Sequence, residues 1–339
     1  MKAIIVKSPF NVSVEEVPKP ELTRDDEVIV RVVSAGICGS DIGIYNGTNS
    51  LASYPRLIGH EYGGVVEAAG AKVSNVAVGD LVAVDPVRSC GACYACSIGR
   101  HNVCGTLEVT GVHRDGGFAE FVAAPAANVY KLGAAFAPRD LISMVEPYSI
   151  GAQVNARSRT GRGDFMVVMG SGPIGLCIMQ VAKSKGARVL MTDLIDSRLS
   201  RALDMGADRV VNVKSGDLDA AVKEFSPSVG ITVVADTVCS TESLELAMGM
   251  ACPAGRVVCL GLSNKFSPIT QVNITKKELD VVGSRLNNYR FPEVIEGFES
   301  GALTPAKLVT HRFGFERAAE AIDLIRNKPE EVCKVLLTF

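Results

Sequence analysis

Two different periodicities divide the chain. Up to about residue 130, short β-type runs recur at Ala3–Val6, Glu27–Val33, Gly63–Ala69, Leu81–Val84 and Phe118–Ala123, bounded by Gly-Asp, Pro and Asn signals. Runs of this length between turn residues read as strands, and their spacing predicts a compact, mostly antiparallel β-rich domain over residues 1–150. From residue 151 the pattern changes to short, continuously apolar runs: Phe165–Met169, Arg188–Thr192, Arg209–Val213, Ile231–Ala235, Arg256–Gly261 and Asp280–Gly283. Helical stretches at Gly175–Ser184, Ser197–Met205 and Thr241–Met250 alternate with them. A strand that is apolar on both faces must be covered on both, so residues 151–285 read as an α/β domain with a doubly wound parallel sheet. The remainder, 286–339, carries helical stretches at Pro292–Glu299 and Phe315–Asn327 and a last strand, Cys333–Thr338. It is too short to enclose a core and is expected to return to the first domain.

Composition removes several function classes. Of 339 residues, 47% are hydrophobic and 21% charged, with a net charge of −2. A chain so balanced has no basic excess for nucleic acid or an anionic membrane surface. No apolar run approaches the ~18 residues of a membrane span, and the apolar stretch near Met1 is too short for a signal peptide. A cytoplasmic location and a small-molecule partner are the expectations.

The first chemical motif is Gly170-Ser171-Gly172-Pro173-Ile174-Gly175, which directly follows one strand and opens a helix, with Asp193 ending the next strand. In that setting Gly170 permits a tight turn, Gly172 lets backbone approach a pyrophosphate, and Gly175 allows close helix–sheet packing. The helix start, with Pro173 and Ile174 in its first turn, offers free N–H groups to phosphate oxygens. Asp193 suits ribose hydroxyls and repels a 2′-phosphate, favouring NAD over NADP, while Arg198 softens that preference. Thr237, after the fourth sheet strand, is expected to pack on the adenosine side.

Ten cysteines are unevenly spread, and four of them, Cys90, Cys93, Cys96 and Cys104, fall within fifteen residues. In a reducing compartment such a cluster reads as a closed, tetrahedral structural zinc site, with an iron–sulfur cluster as the competing reading. Four thiolates around +2 leave −2, which needs backbone N–H groups on the sulfurs; Gly91 and Gly99 would let the chain turn back to supply them. A third, dispersed set comprises Cys38-Gly-Ser40-Asp41, Gly59-His60-Glu61 and Glu146-Pro147. Thiolate, imidazole and carboxylate together would hold a zinc with one position open for substrate.

Gly36-Ile-Cys38-Gly-Ser40-Asp41, Gly59-His60-Glu61-x2-Gly64, Val78-Gly79-Asp80-Leu-Val82, the cysteine lobe and Gly170-x-Gly-x2-Gly175 occur in one order. That order resembles the zinc-dependent medium-chain alcohol dehydrogenases over essentially the whole chain. Within them it is most similar to the sorbitol- and threonine-dehydrogenase side, and there to bacterial sugar-acid (galactonate- or idonate-type) dehydrogenases of the RspB group. The resemblance implies a GroES-like first domain, a Rossmann second domain, NAD, and two zinc ions per chain. It implies a catalytic zinc on Cys38, His60 and one carboxylate, Glu61 or Glu146, with Ser40 beginning a proton relay and Asp41 orienting His60. Cys38 and one Glu neutralise the metal, so only one carboxylate is expected to bind at a time. It also implies a homodimer or homotetramer formed through edge strands near Val281.

Substrate determinants are sought where open parallel sheets bind ligands, at the carboxyl ends of the strands. Arg285 is expected to clamp a carboxylate and Asn287 to address hydroxyls, with His113, Arg114, Phe118 and Tyr45 lining the substrate site. These favour a sugar acid over a neutral polyol or L-threonine. A non-catalytic NAD(H)-binding sensor and a zinc-free quinone reductase are the competing classes, disfavoured by Cys38, Ser40, His60 and Glu146. Lys334, near the chain end, reads as a solvated strand-end charge.

Overall fold

The computed structural model describes residues 1–339. The chain forms two compact units: Met1–Glu146 with Phe291–Gly301 and Pro305–Phe339, and Pro147–Arg290 with Ala302–Thr304. None of its helices is long and apolar enough to cross a membrane.

The second unit is built on a six-stranded parallel sheet. Its spatial order is Arg209–Asn212, Arg188–Asp193, Phe165–Met169, Ile231–Asp236, Ala251–Cys259, Asp280–Gly283. The order reverses beside the first strand, Phe165–Met169, which creates the switch point where doubly wound sheets receive ligands. Val167, Leu190, Ile231, Val234 and Val257 have no exposed surface. That burial explains the continuous apolar runs of the sequence, since both faces of the interior strands are covered. A further helix, Leu218–Phe225, is capped by Asp217, whose Oδ1 accepts the Ala220 N–H at 2.9 Å.

In the first unit a mixed sheet runs Val129–Lys131, Leu81–Val84, Glu61–Ala69, Glu27–Ile37, Lys334–Thr338, Val309–Gly314, with Phe121–Pro125 also on Glu27–Ile37. The final strand of the chain lies antiparallel on Glu27–Ile37, with Val335 opposite Ile37 and Leu336 opposite Gly36. On its other side Glu27–Ile37 is paired with Glu61–Ala69, Gly36 facing Glu61. Three segments far apart in sequence thus meet at one sheet end.

The unit boundaries differ from the sequence expectation in three places, the first being that residues 147–150 belong to the second unit. Residues 286–290 stay with the parallel sheet, where the Arg290 guanidinium donates to Gln153 Oε1 at 3.2 Å. Residues 302–304 also join it, because Gln180 accepts the Thr304 N–H at 3.0 Å and donates to its hydroxyl at 2.9 Å. The helix Val145–Arg157 escapes the sequence pattern altogether. Pro147 and Gly151 disguise it, yet a proline in a first turn removes no helical hydrogen bond. Gly151 is required because a Cβ there would press within 2.7–2.9 Å of the Cys177–Ile178 backbone.

Candidate active site

Cys38 follows the strand Glu27–Ile37 and caps the start of the short helix Gly39–Tyr45; its N–H donates to Asp41 Oδ2 at 2.9 Å. His60 and Glu61 stand where the neighbouring strand begins. Gly59 turns the chain into that strand at φ +98°, and a Cβ there would collide with the Phe118 ring. Cys38 Sγ, a ring nitrogen of His60 and a Glu61 carboxylate oxygen all lie within 4.8 Å of one another. This is a zinc-type donor set, and three donors leave a tetrahedral position open.

His60 is fixed from both sides. Its Nδ1 lies 3.6 Å from Asp41 Oδ1, and its Nε2 lies 3.3 Å from Ser40 Oγ. Nδ1 and Asp41 Oδ1 are both buried and make no hydrogen bond, so they face each other as an incompletely closed pair. A metal on Nε2 would hold the ring in the tautomer that donates from Nδ1 to this carboxylate, and the residues fit the ion in that respect. Burial opposes a charged imidazole, but the Asp41 carboxylate and the Cys38 thiol together hold it well above the ordinary histidine range.

Glu146, at the start of the helix Val145–Arg157, lies outside the three-donor cluster. Burial raises its carboxyl to about 8; the charge of His60 opposes that rise and Glu61 reinforces it. Glu61 has a partner that the sequence reading assigned to solvent. Lys334 is 3% exposed, and its Nζ donates to Glu61 Oε1 at 2.8 Å, to Glu61 Oε2 at 2.7 Å and to the Ile37 carbonyl at 3.3 Å. The reason is topological: the last strand is interior to the sheet, so a lysine at its start points into protein. A charge at the head of the apolar run Val335-Leu-Leu337 was the signal for a buried counter-ion.

In the cysteine lobe Cys93 Sγ is 3.6 Å from Cys96 Sγ and 3.8 Å from Cys104 Sγ, and Cys104 is 3.4 Å from Cys90. Zinc–thiolate bonds of ~2.3 Å imply tetrahedral edges of ~3.8 Å, so the four sulfurs fit one ion. Gly91 and Gly99 turn at φ +72° and +74°. Backbone N–H groups of Cys90 and Thr106 reach Cys104 Sγ at 3.3 and 3.4 Å and lower that thiol to about 6.

In the second unit Gly170 adopts φ +97°, a Cβ on Gly175 would collide with the Gly170 carbonyl, and a Cβ on Gly172 would meet open space. That space belongs to a cavity of about 810 Å³ whose lining includes Gly170, Gly172, Asp193, Arg198, Thr237 and Leu246. Asp193 Oδ2 accepts the Ser171 N–H at 2.8 Å, and Oδ1 accepts those of Leu194 and Ile195 at 2.8 and 3.1 Å. The carboxylate therefore shapes the loop as well as facing the cavity, with Arg198 3.9 Å away. Thr237 Oγ1 donates to the Met169 carbonyl at 2.6 Å and packs against Gly170. Pro173 and Ile174 begin the helix Pro173–Ser184, capped by Gly172.

Several expected substrate residues are occupied otherwise. Phe118 is fully buried against Gly59, a core position and not a substrate wall. Asn287 is also fully buried; its Oδ1 accepts the Arg290 N–H at 3.4 Å in a turn where Leu286 and Tyr289 have positive φ. His113 Nδ1 accepts the Val109 N–H at 3.0 Å, and Arg114 pairs with Glu108 at 2.9 Å on the surface. The Tyr45 ring is packed edge-on to Phe10 and under the Arg326 guanidinium. Arg285 is exposed just past the strand Asp280–Gly283.

A Lewis-acid donor set in one unit and a dinucleotide-type turn in the other define a metal-dependent dehydrogenase, since neither has a use in a purely structural protein. The chain belongs to the zinc-dependent medium-chain alcohol dehydrogenases. The family described as alcohol dehydrogenase GroES-like domain matches residues 24–134, and that described as zinc-binding dehydrogenase matches residues 173–300. The starvation-sensing protein RspB of Escherichia coli K12 is 43% identical, the match covering 100% of this chain and 99% of that protein. L-Galactonate-5-dehydrogenase of the same organism is 32% identical over 96% of this chain and 94% of its own. The solved structure of the E. coli CFT073 rspB alcohol dehydrogenase complexed with NADH is 44% identical with a TM-score of 0.94, covering 100% of this chain and 99% of that one. The chain is thus an oxidoreductase of zinc type acting on alcohols.

Proposed function

We propose that the protein interconverts a secondary alcohol and a ketone on a polyhydroxy substrate, most specifically a sugar acid of the galactonate or idonate kind, with NAD(H) as hydride carrier. The observation that carries this reading is the convergence of Cys38, His60 and Glu61 donor atoms within 4.8 Å, with Ser40 Oγ 3.3 Å from His60. A zinc ion held there would supply Lewis-acid polarisation of the substrate hydroxyl, and bound NAD would supply the hydride acceptor. Cys38, His60 and one carboxylate, Glu61 or Glu146, hold the metal. Asp41 keeps the His60 ring in one orientation through Nδ1. Ser40 begins a proton relay: its Oγ accepts the proton that the substrate hydroxyl gives up as its own hydroxyl proton passes on through ribose hydroxyls of the cofactor to solvent, while the carbon hydrogen leaves with its electron pair. Gly172 brings backbone to the pyrophosphate, Gly170 and Gly175 shape the turn and the helix packing that allow it, and Asp193 selects NAD over NADP through ribose hydroxyls.

The sugar-acid assignment rests on Arg285, an exposed residue just past the strand Asp280–Gly283 whose side-chain type suits a substrate carboxylate, and on the similarity to an L-galactonate dehydrogenase. The same reading includes assembly into a homodimer or homotetramer through the outer edge of the strand Asp280–Gly283.

The test is NAD⁺ reduction across aldonates, neutral polyols and L-threonine, with Cys38→Ala as the control. Aldonates are expected to give the highest kcat/KM, and Arg285→Leu is expected to lower kcat/KM by about tenfold or more for aldonates alone, a carboxylate clamp being worth ~1.5–3 kcal/mol. Equal loss on polyols would replace the sugar acid with a neutral substrate. Cys38→Ala is expected to abolish turnover while NADH still binds.

A further inference from the structure

The cavity beside the glycine turn leaves four aliphatic side chains uncovered. Leu194, Val213, Val238 and Leu246 all line it, and each is 39–53% exposed. Exposed aliphatics scattered singly need no explanation, but four around one cavity mark a surface that an apolar group covers. Leu194 directly follows Asp193, the residue assigned to the ribose, so on the reading that NAD is the cofactor the covering group is the base carried by that ribose. The rim of the same cavity carries Glu242, the N-cap of the helix Ser243–Met250. Glu242 and Leu246 stand one helical turn apart, so the carboxylate ends the wall on which the base would rest.

That carboxylate is held in place by its neighbours. The Thr241 hydroxyl donates to Glu242 Oε1, and the Ser240 hydroxyl donates to Oε2 at 3.2 Å. The Thr241 hydroxyl first, then the Glu242 N–H and the Ser240 hydroxyl, lower the carboxyl below the ordinary glutamate range, so it is anionic at neutral pH. A fixed anion at the edge of a purine is met favourably only by a donor. The exocyclic donor of adenine is its 6-amine, whereas its N3 and N7 are acceptors. We propose that Glu242 is a specificity-determining residue for the cofactor: its carboxylate accepts a hydrogen bond from the adenine 6-amine and so favours 6-amino over 6-oxo purine dinucleotides. Hypoxanthine puts an oxygen lone pair where the amine stood, and two acceptors then face each other. Asp193 thus reads the ribose and Glu242 the base, while Glu245, also on the rim, contributes charge alone.

The experiment titrates the zinc-loaded protein with NADH and with reduced nicotinamide hypoxanthine dinucleotide and reads nicotinamide fluorescence, so it requires no turnover. Wild type is expected to bind NADH at least about fivefold more tightly, the effect of a partly exposed hydrogen bond to a charged group. Glu242→Gln, whose amide offers an acceptor and a donor, is expected to bring the two affinities together, and Glu242→Ala to do the same by removing the contact. Glu245→Gln is expected to move both affinities in parallel and to keep the wild-type ratio. Equal affinities in wild type, a ratio unchanged by both Glu242 variants, or a ratio that Glu245→Gln shifts as far as Glu242→Gln does, overturns the proposal. Failure of the underlying cofactor reading looks different: neither dinucleotide would bind wild-type protein, whichever base it carried.

Discussion

Gly59 shows how much of a metal site is carried by a residue with no functional group. Its φ of +98° and the Phe118 ring against its α-carbon decide where the next residue, His60, begins its strand. An alanine there faces a left-handed backbone, costing about 1–2 kcal/mol, and an overpacked aromatic contact, costing about 1–3 kcal/mol. Gly59→Ala is therefore expected to lower stability by roughly 2–5 kcal/mol in urea unfolding and to leave the Cys38–His60 site substoichiometric in zinc. Unchanged stability and full metal content would show that Phe118 moves aside without disturbing His60. Phe118 itself illustrates a limit of sequence reading. An aromatic next to Gly-Gly looks like a site wall, and only the fold reveals that its ring fills the space a glycine left.

At the scale of elements, the cysteine lobe depends on its metal more than any other part. Its one helix, Tyr94–Ser97, has four residues and no buried side chain, far below what an isolated helix needs. Little apolar surface is enclosed, so the sulfurs and the N–H groups aimed at them hold the loop in shape. Cys96→Ser is expected to remove one of two zinc ions and to raise amide exchange across residues 90–107, while NADH binding by the parallel-sheet unit persists. Exchange that stayed slow in the variant would mean that packing, and not the metal, orders the lobe. The spacing of Cys90, Cys93, Cys96 and Cys104 made this element legible in advance, because its ligands are local in sequence. The nucleotide turn was legible for the same reason: strand, glycines, helix and acidic residue follow one another along the chain.

At the scale of the whole molecule, the edge strand Asp280–Gly283 bonds to the sheet on one side only, and Val281 and Val282 on it are half-buried. An open strand edge pairs readily with another copy, so a native mass of two or four times 35.8 kDa is expected by light scattering. A stable monomer at micromolar concentration would remove the edge from the assembly. The return of the tail to the first unit has the larger chemical consequence. It inserts Lys334–Thr338 beside Glu27–Ile37, and so brings residue 334 to residues 37 and 61.

The chain alone determined whatever is written in consecutive residues: the parallel-sheet strands, the glycine turn with Asp193, the thiolate lobe, and the identities of Cys38, His60 and the two glutamates. Only the tertiary structure decided how those glutamates differ. Glu61 meets a lysine 273 residues away in sequence, whereas Glu146 lies outside the donor cluster with its carboxyl raised by burial. Side-chain chemistry and local spacing are properties of the chain, but charge compensation depends on distance and desolvation, and these exist only once remote strands are paired.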